Sequence, residues 1–172
     1  MFIAFGVFIL ATTQNAAKLM AKDCKRLIEE YRSYYPELSS SDVMERFAEE
    51  GVFDAGILLE LVHAEEYGLE RDSREGRDFS DRSNSKLSCS YSPLNGQHTA
   101  FGWRFKVKNV EGDVLVRFSN PLRDEVFGGR IPHAEIKGKN YLVITDCVEG
   151  GVIGGRYGKY LTGKYGKYIT KV

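Results

Sequence analysis

The spacing of apolar residues changes once along this chain, and that change dictates what it can fold into. Between residues 17 and 34, Ala17, Met20, Cys24, Leu27, Ile28, Tyr31 and Tyr34 recur every three or four positions. This lays an apolar stripe along one helix, which Pro36 closes. Ser39 to Asp42 offers hydroxyl and carboxylate caps to a second helix carrying Val43, Met44, Phe47 and Ala48, with Gly51 as its stop. Asp54 can cap a third, which carries Ile57, Leu58, Leu61 and Val62, runs to Tyr67 and ends at Gly68. After residue 86 the period becomes two. Leu87, Cys89 and Tyr91 alternate with serines, and Phe101, Trp103, Phe105 and Val107 alternate with Gly102, Arg104, Lys106 and Lys108. Val114, Val116 and Phe118 alternate with Leu115, Arg117 and Ser119, and Tyr141 to Thr145 reads as a further strand. The expectation is an α+β protein, an N-terminal three-helix unit followed by a mainly antiparallel β unit.

Four segments follow from this reading. Residues 1–19 form an apolar extension, whose start lacks a preceding Lys or Arg and is too short to span a bilayer, and Met20 offers a conventional soluble start. Residues 20–68 are the helical unit. Residues 69–86 hold ten charged side chains and four serines among 18 positions, which reads as a charged linker. Residues 87–172 are the β unit, with a bend at Glu111-Gly112 short enough to make its two longest alternating runs a hairpin. An eight-residue repeat, 157–164 and 165–172, closes the chain as a Tyr/Lys hairpin turning near Thr162-Gly163.

At 42% hydrophobic residues the chain is too apolar for a disordered protein. Its net charge of zero conceals an asymmetry. Residues 1–80 hold nine Lys/Arg against 16 Asp/Glu, a net of −7, and residues 81–172 hold 15 against eight, a net of +7. Either the halves dock on one another or the basic half meets an anionic partner. Cys24, Cys89 and Cys147 show no C-x-x-C spacing, so they suggest neither zinc nor a redox pair, and free thiols suit a reducing, cytoplasmic setting.

The helical unit invites a helix-turn-helix reading, but its third helix presents Asp54, Glu60, Glu65 and Glu66 and no cation, so it would repel phosphate. His63, alone on that helix, is expected to be structural. The paired glycines at 150–151 and 154–155 lack a following Lys-Ser/Thr, which excludes a phosphate-binding loop, and no G-x-S-x-G elbow supports a hydrolase triad.

One constellation carries hydrolytic chemistry. Asp78 and Asp81 precede the strand that bears Asn84, Lys86 and Ser88 on one side. Carboxylates hold a hard divalent cation, which polarises a phosphate and lowers the pKa of a bound water, while a lysine orients that water or stabilises developing charge. These residues resemble the PD-(D/E)XK nucleases, in which an Asp precedes a strand with an acid-x-Lys triplet and many members are restriction or phage nucleases cutting DNA with magnesium. The resemblance implies a Mg2+-dependent endonuclease with Asp78 or Asp81 as metal ligand and Lys86 as catalytic lysine. Asn84 stands where the family has its second acid. A competing placement, Asp124 followed by Glu135-Ile-Lys137, has the complete triplet and reads equally as a polar hairpin before Tyr141.

A second constellation is a binding surface for nucleic acid. Arg104, Lys106 and Lys108 share one strand face, and Arg117 on the hairpin partner adds to the stripe. The terminal repeat adds Tyr157, Lys159, Tyr160, Lys164, Tyr165, Lys167 and Tyr168, rings to stack on bases beside cations to meet phosphates. The alternative is a non-catalytic interaction or structural module whose basic half docks an acidic protein, with the tyrosines packed and the lysines guarding an edge.

Overall fold

The computed structural model describes residues 24–49, 55–88, 92–93, 100–120, 125–147, 152–153, 156–157 and 164–172. The extension 1–19, Met20, Gly51, Asp54, the paired glycines at 150–151 and 154–155, and the expected turn at Thr162-Gly163 lie outside these residues.

The chain is α+β, as its periodicity predicts. Helix α1 covers 24–34, α2 Ser40–Glu49 and α3 Ala55–Tyr67. Ser39 caps α2 reciprocally with Asp42: its hydroxyl accepts the Asp42 N–H at 3.2 Å, and the Asp42 carboxylate accepts the Ser39 N–H at 2.7 Å. Gly68, at φ +62°, ends α3, with the Leu69 N–H reaching back to the Ala64 carbonyl at 2.8 Å. Leu27, Ile28, Tyr31, Val43, Leu58, Leu59 and Val62 bury the apolar stripes of all three helices against each other.

The strands are β1 (Arg71–Arg74), β2 (Arg77–Phe79), β3 (Asn84–Ser88), β4 (Ser92–Pro93), β5 (Ala100–Lys106), β6 (Val114–Asn120), β7 (Glu125–Ile131), β8 (Tyr141–Cys147), β9 (Val152–Ile153), β10 (Arg156–Tyr157) and β11 (Ile169–Lys171). A short helix α4 (His133–Ile136) precedes β8. Two sheets dominate, a four-stranded one in the order β11-β7-β6-β3 and a three-stranded one in the order β4-β5-β8. Among the described residues the pairings are antiparallel except β3 with β6, which is parallel with Asn84 opposite Val114 and Ser88 opposite Phe118.

The segment expected as a linker is folded. Residues 71–79 make the β1-β2 hairpin, and residues 84–88 form an edge of the four-stranded sheet. Only Phe79 of the hairpin is fully buried, and arginine–carboxylate pairs do the rest: Arg71 with Glu60 at 3.0 Å, Arg74 with Asp72 at 2.8 Å and Arg77 with Asp72 at 2.7 Å.

The expected β5-β6 hairpin does not form. β5 pairs with β4 and β8, β6 pairs with β3 and β7, and the two strands face each other across the core. Trp103 lies 4.8 Å from Phe118, ring centre to ring centre, and its indole N–H reaches the Ser119 carbonyl at 3.2 Å. Phe105, Val114, Val116, Phe127, Ile131 and Leu142 complete this inter-sheet core. The terminal repeat departs from expectation too: its second copy turns through Gly166–Tyr168 and pairs with β7, not with the first copy, among the described residues.

The molecule is thus three layers deep, with the helices on one face of the four-stranded sheet and the three-stranded sheet on the other. Strand β6 is the centre, since every residue from Val114 to Phe118 is buried. Among the described residues no helix is long and apolar enough to cross a membrane.

Candidate functional site

Arg117 faces the helices from the middle of β6, with none of its side chain exposed. Its guanidinium meets Glu30 of α1 at 2.8 Å and Glu66 of α3 at 2.7 Å. It is therefore removed from the phosphate-contacting stripe on which the sequence placed it, and it joins the basic sheet to the acidic helices. Gly128 stands opposite it on β7, and a Cβ there would collide with the Arg117 Nη1. Burial pushes the Glu30 carboxyl above its ordinary value, against the pull of Arg117 and Arg26. His63 lies in the same layer, wholly buried, with Nδ1 2.9 Å from the Ser85 hydroxyl. Burial, reinforced by Arg117, holds His63 well below its ordinary pKa, so it is neutral and structural, as expected.

The other face of β3 carries the hydrolytic candidates. Asp78, on β2, accepts the Ser85 N–H at 2.7 Å through Oδ2. Burial pushes its carboxyl up, opposed by that hydrogen bond and by the charges of Lys86 and Arg71. Burial likewise pushes the Lys86 ammonium down, opposed by Asp78 and by Glu60 of α3. Asp78 and Lys86 are thus electrostatic partners in a half-buried setting, and Glu60, which the sequence reading omitted, belongs with them. Its position one face away on α3 gave no signal, because only the packing of α3 on β3 brings it near. Asn84 is buried beside them on β3, and its Oδ1 has no hydrogen-bond partner.

Asp81 belongs to a different network. Its Oδ1 accepts the Ser83 N–H and hydroxyl, and its Oδ2 meets Arg130 of β7 at 2.9 Å. Burial raises its pKa, but these hydrogen bonds outweigh burial and hold the carboxyl below its ordinary value. Arg130 also binds Asp113 at 2.8 Å, and Asp113 in turn accepts the His133 N–H at 2.9 Å. Both Asp81 oxygens are engaged, so they do not fit a cation shared with Asp78. Among the described residues no three His, Cys, Asp or Glu side chains converge as a metal cluster.

The competing triplet is not on a strand. Glu135 lies on α4, where it binds Lys164 at 2.7 Å and the Tyr168 hydroxyl at 3.1 Å. Asp124 falls outside the described residues. This contact also relocates the terminal repeat. Tyr165 is 8% exposed and lies in the inter-sheet core, so it is not a stacking platform. Tyr168 packs against that core, and Lys167 covers its ring at 4.9 Å. The side chains of Tyr157, Lys159 and Tyr160 lie outside the described residues.

The outward face of the three-stranded sheet is different. Arg104 and Lys106 project from β5 opposite Val143 and Tyr141 of β8, and all four are exposed. The Arg104 guanidinium lies over the Tyr141 ring, 3.6 Å from its centre. Lys108 continues the row beyond the strand. None of Arg104, Lys106 and Lys108 forms an ion pair among the described residues. No protein-family model matches the chain, and no curated protein or solved structure is significantly similar to it.

Proposed function

We propose that this protein contacts the phosphate backbone of nucleic acid through the outward face of the β5-β8 sheet. The observation that carries the reading is the row Arg104, Lys106 and Lys108, exposed and unpaired among the described residues beside the exposed rings and methyls of Tyr141 and Val143. Residues two apart on a strand are separated by about 6.8 Å, so Arg104 and Lys106 present cations at that spacing and Lys108 adds a third from the turn that follows. Arg104 sits over the Tyr141 ring while exposed to solvent, so it remains open to a base or a phosphate. Such a surface follows the backbone without reading sequence.

The test is binding of single- and double-stranded DNA and RNA across a salt series. Arg104→Ala/Lys106→Ala should weaken binding and flatten the salt dependence by roughly 0.7–0.9 for each lost phosphate contact. Binding that ignores salt, or that survives the double substitution unchanged, refutes the reading.

A second reading, endonuclease activity, is favoured by one observation, the electrostatic pairing of Asp78 with Lys86 beside the unpartnered Asn84 Oδ1. The oxygens on offer to Mg2+ are those of Asp78 and Asn84, with Asp81 withdrawn into the Arg130 network. Bound magnesium would polarise a phosphate and acidify a water. The part of Lys86, whose ammonium burial makes easier to deprotonate, is to hold or release a proton next to Asp78. Cleavage in magnesium that is lost in both Asp78→Asn and Lys86→Met supports this reading. Cleavage retained in both removes it.

A further inference from the structure

We infer that a cleft between the β5-β6 loop and the α4-β8 loop binds a phosphomonoester. Its volume is about 380 Å³, and its floor is made by Val107 and Ile136, both in the inter-sheet core. This lies within the range of small-molecule sites, roughly 300–1,000 Å³. The lining also includes Lys108, Lys137, Lys139 and His133, together with Asn109 and Asn140.

The electrostatics select the ligand. No carboxylate lines the cleft, and the acids nearest in sequence are committed elsewhere. Asp113 is held by Arg130 and the His133 N–H, Glu111 by Arg77, and Glu135 by Lys164 and Tyr168. Lys108 and Lys137 form no ion pair among the described residues, while Lys139 is held in place by donating to the Tyr165 hydroxyl. Lys108 and Lys137 therefore bring two positive charges without carboxylate partners to the lining of one concavity, and an anion there would offset them. A phosphate dianion matches that charge and the hydrogen-bond donors present.

The walls are preformed. The Val107 N–H reaches the Asn140 carbonyl, the Lys137 N–H the His133 carbonyl and the Lys139 N–H the Ile136 carbonyl, each at 2.9 Å. Gly138 adopts φ +77° at the rim, and nothing lies within 4 Å of where its Cβ would be, so the backbone there is open to a ligand. A phosphomonoester reaches such a cleft either on a free mononucleotide or at the end of a nucleic-acid strand.

The cleft shares Lys108 with the row on the sheet face, so the experiment leaves that lysine in place. The full chain is titrated calorimetrically, at constant ionic strength, with inorganic phosphate, a nucleoside 5′-monophosphate, the nucleoside, and oligonucleotides with 5′-phosphate or 5′-hydroxyl ends. The proteins compared are the parent, Lys137→Ala, and Lys25→Ala, which loses the same charge from the exposed surface of α1. Binding of the monophosphate but not of the nucleoside, weakened roughly tenfold or more in the first variant and unaltered in the second, supports the site. In that event a 5′-phosphorylated strand preferred over its hydroxyl twin identifies the strand end as the source, and equal strands with retained monophosphate binding identify the free mononucleotide. Equal binding of nucleoside and monophosphate, equal losses in both variants, or no binding of phosphate and monophosphate overturns the inference. Arg104→Ala/Lys106→Ala should leave monophosphate binding intact whatever becomes of strand binding.

Discussion

Replacing Arg117 by methionine tests the central claim that one buried cation fastens the acidic helices to the basic sheet. The substitution keeps a long side chain but deletes two ion pairs, at 2.8 Å to Glu30 and 2.7 Å to Glu66, from a residue with no exposed surface. Breaking a buried pair by removing one partner costs about 3–5 kcal/mol, because the remaining charge stays desolvated and uncompensated. For a chain of this size that is a fall in Tm of roughly 6–20 °C, at about 2–4 °C per kcal/mol. The loss should depend on pH in a defined sense. Burial already holds the Glu30 carboxyl above its ordinary value, and removing Arg117, which pulls it down, lifts it further. The folded state then binds more protons than the unfolded state, so stability falls as pH rises from the unfolded value through the raised folded one. Urea unfolding at pH 5 and pH 7.5 should therefore show a smaller deficit at the lower pH. Adding Glu30→Gln and Glu66→Gln should restore much of the loss, since a neutral trio carries no buried charge. A deficit below about 1 kcal/mol at pH 7.5, or a triple variant no more stable than Arg117→Met alone, would show that Arg117 does not fasten the helices to the sheet.

Gly128→Ala places a methyl against the Arg117 guanidinium and should destabilise by about 1–3 kcal/mol in urea unfolding, with the effect reduced when Arg117 is already methionine. Lys86→Met removes a charge that pulls the Asp78 pKa down, so carboxyl-carbon NMR should show Asp78 titrating at higher pH than in the parent; an unmoved titration means the two are not coupled. Glu135→Gln weakens the contacts of Lys164 and Tyr168, and because Lys164 is exposed the thermal unfolding midpoint should barely move; a large fall means that this contact holds the terminal strand in place.

What the sequence made legible was the identity of the elements, and what it concealed was their partners. The helices were readable because a 3.6-residue stripe, a Ser39/Asp42 cap and a terminal Gly68 agree with one another. Strands β5, β6 and β8 were readable from alternation. Alternation does not say which strand lies alongside, so β5 and β6, adjacent in sequence, were paired although they face each other across a core. Residues 69–86 looked like a linker because a short hairpin held by arginine–carboxylate pairs needs only one buried ring, Phe79. Arg117 was assigned to solvent because Val114, Val116 and Phe118 form an apolar face on the other side of β6. Leu115 was the available signal, since a large apolar residue two positions away on the same face as Arg117 marks that face as covered too.

The charge asymmetry acquires a physical meaning from these assignments. Arg117 is spent on the helices, Arg130 on Asp81 and Asp113, Lys164 on Glu135 and Lys171 on Glu125, so much of the basic half's excess holds the layers together. Among the described residues Arg82 is left without a carboxylate apart from the others, but four such cations follow one another in the fold. Arg104, Lys106, Lys108 and Lys137 run from the outer face of β5 to the rim of the cleft. Structural pairing therefore subtracts from a basic half a connected basic surface, and such a surface, being costly in self-repulsion and unused by the fold, is where an anionic partner gains most by binding.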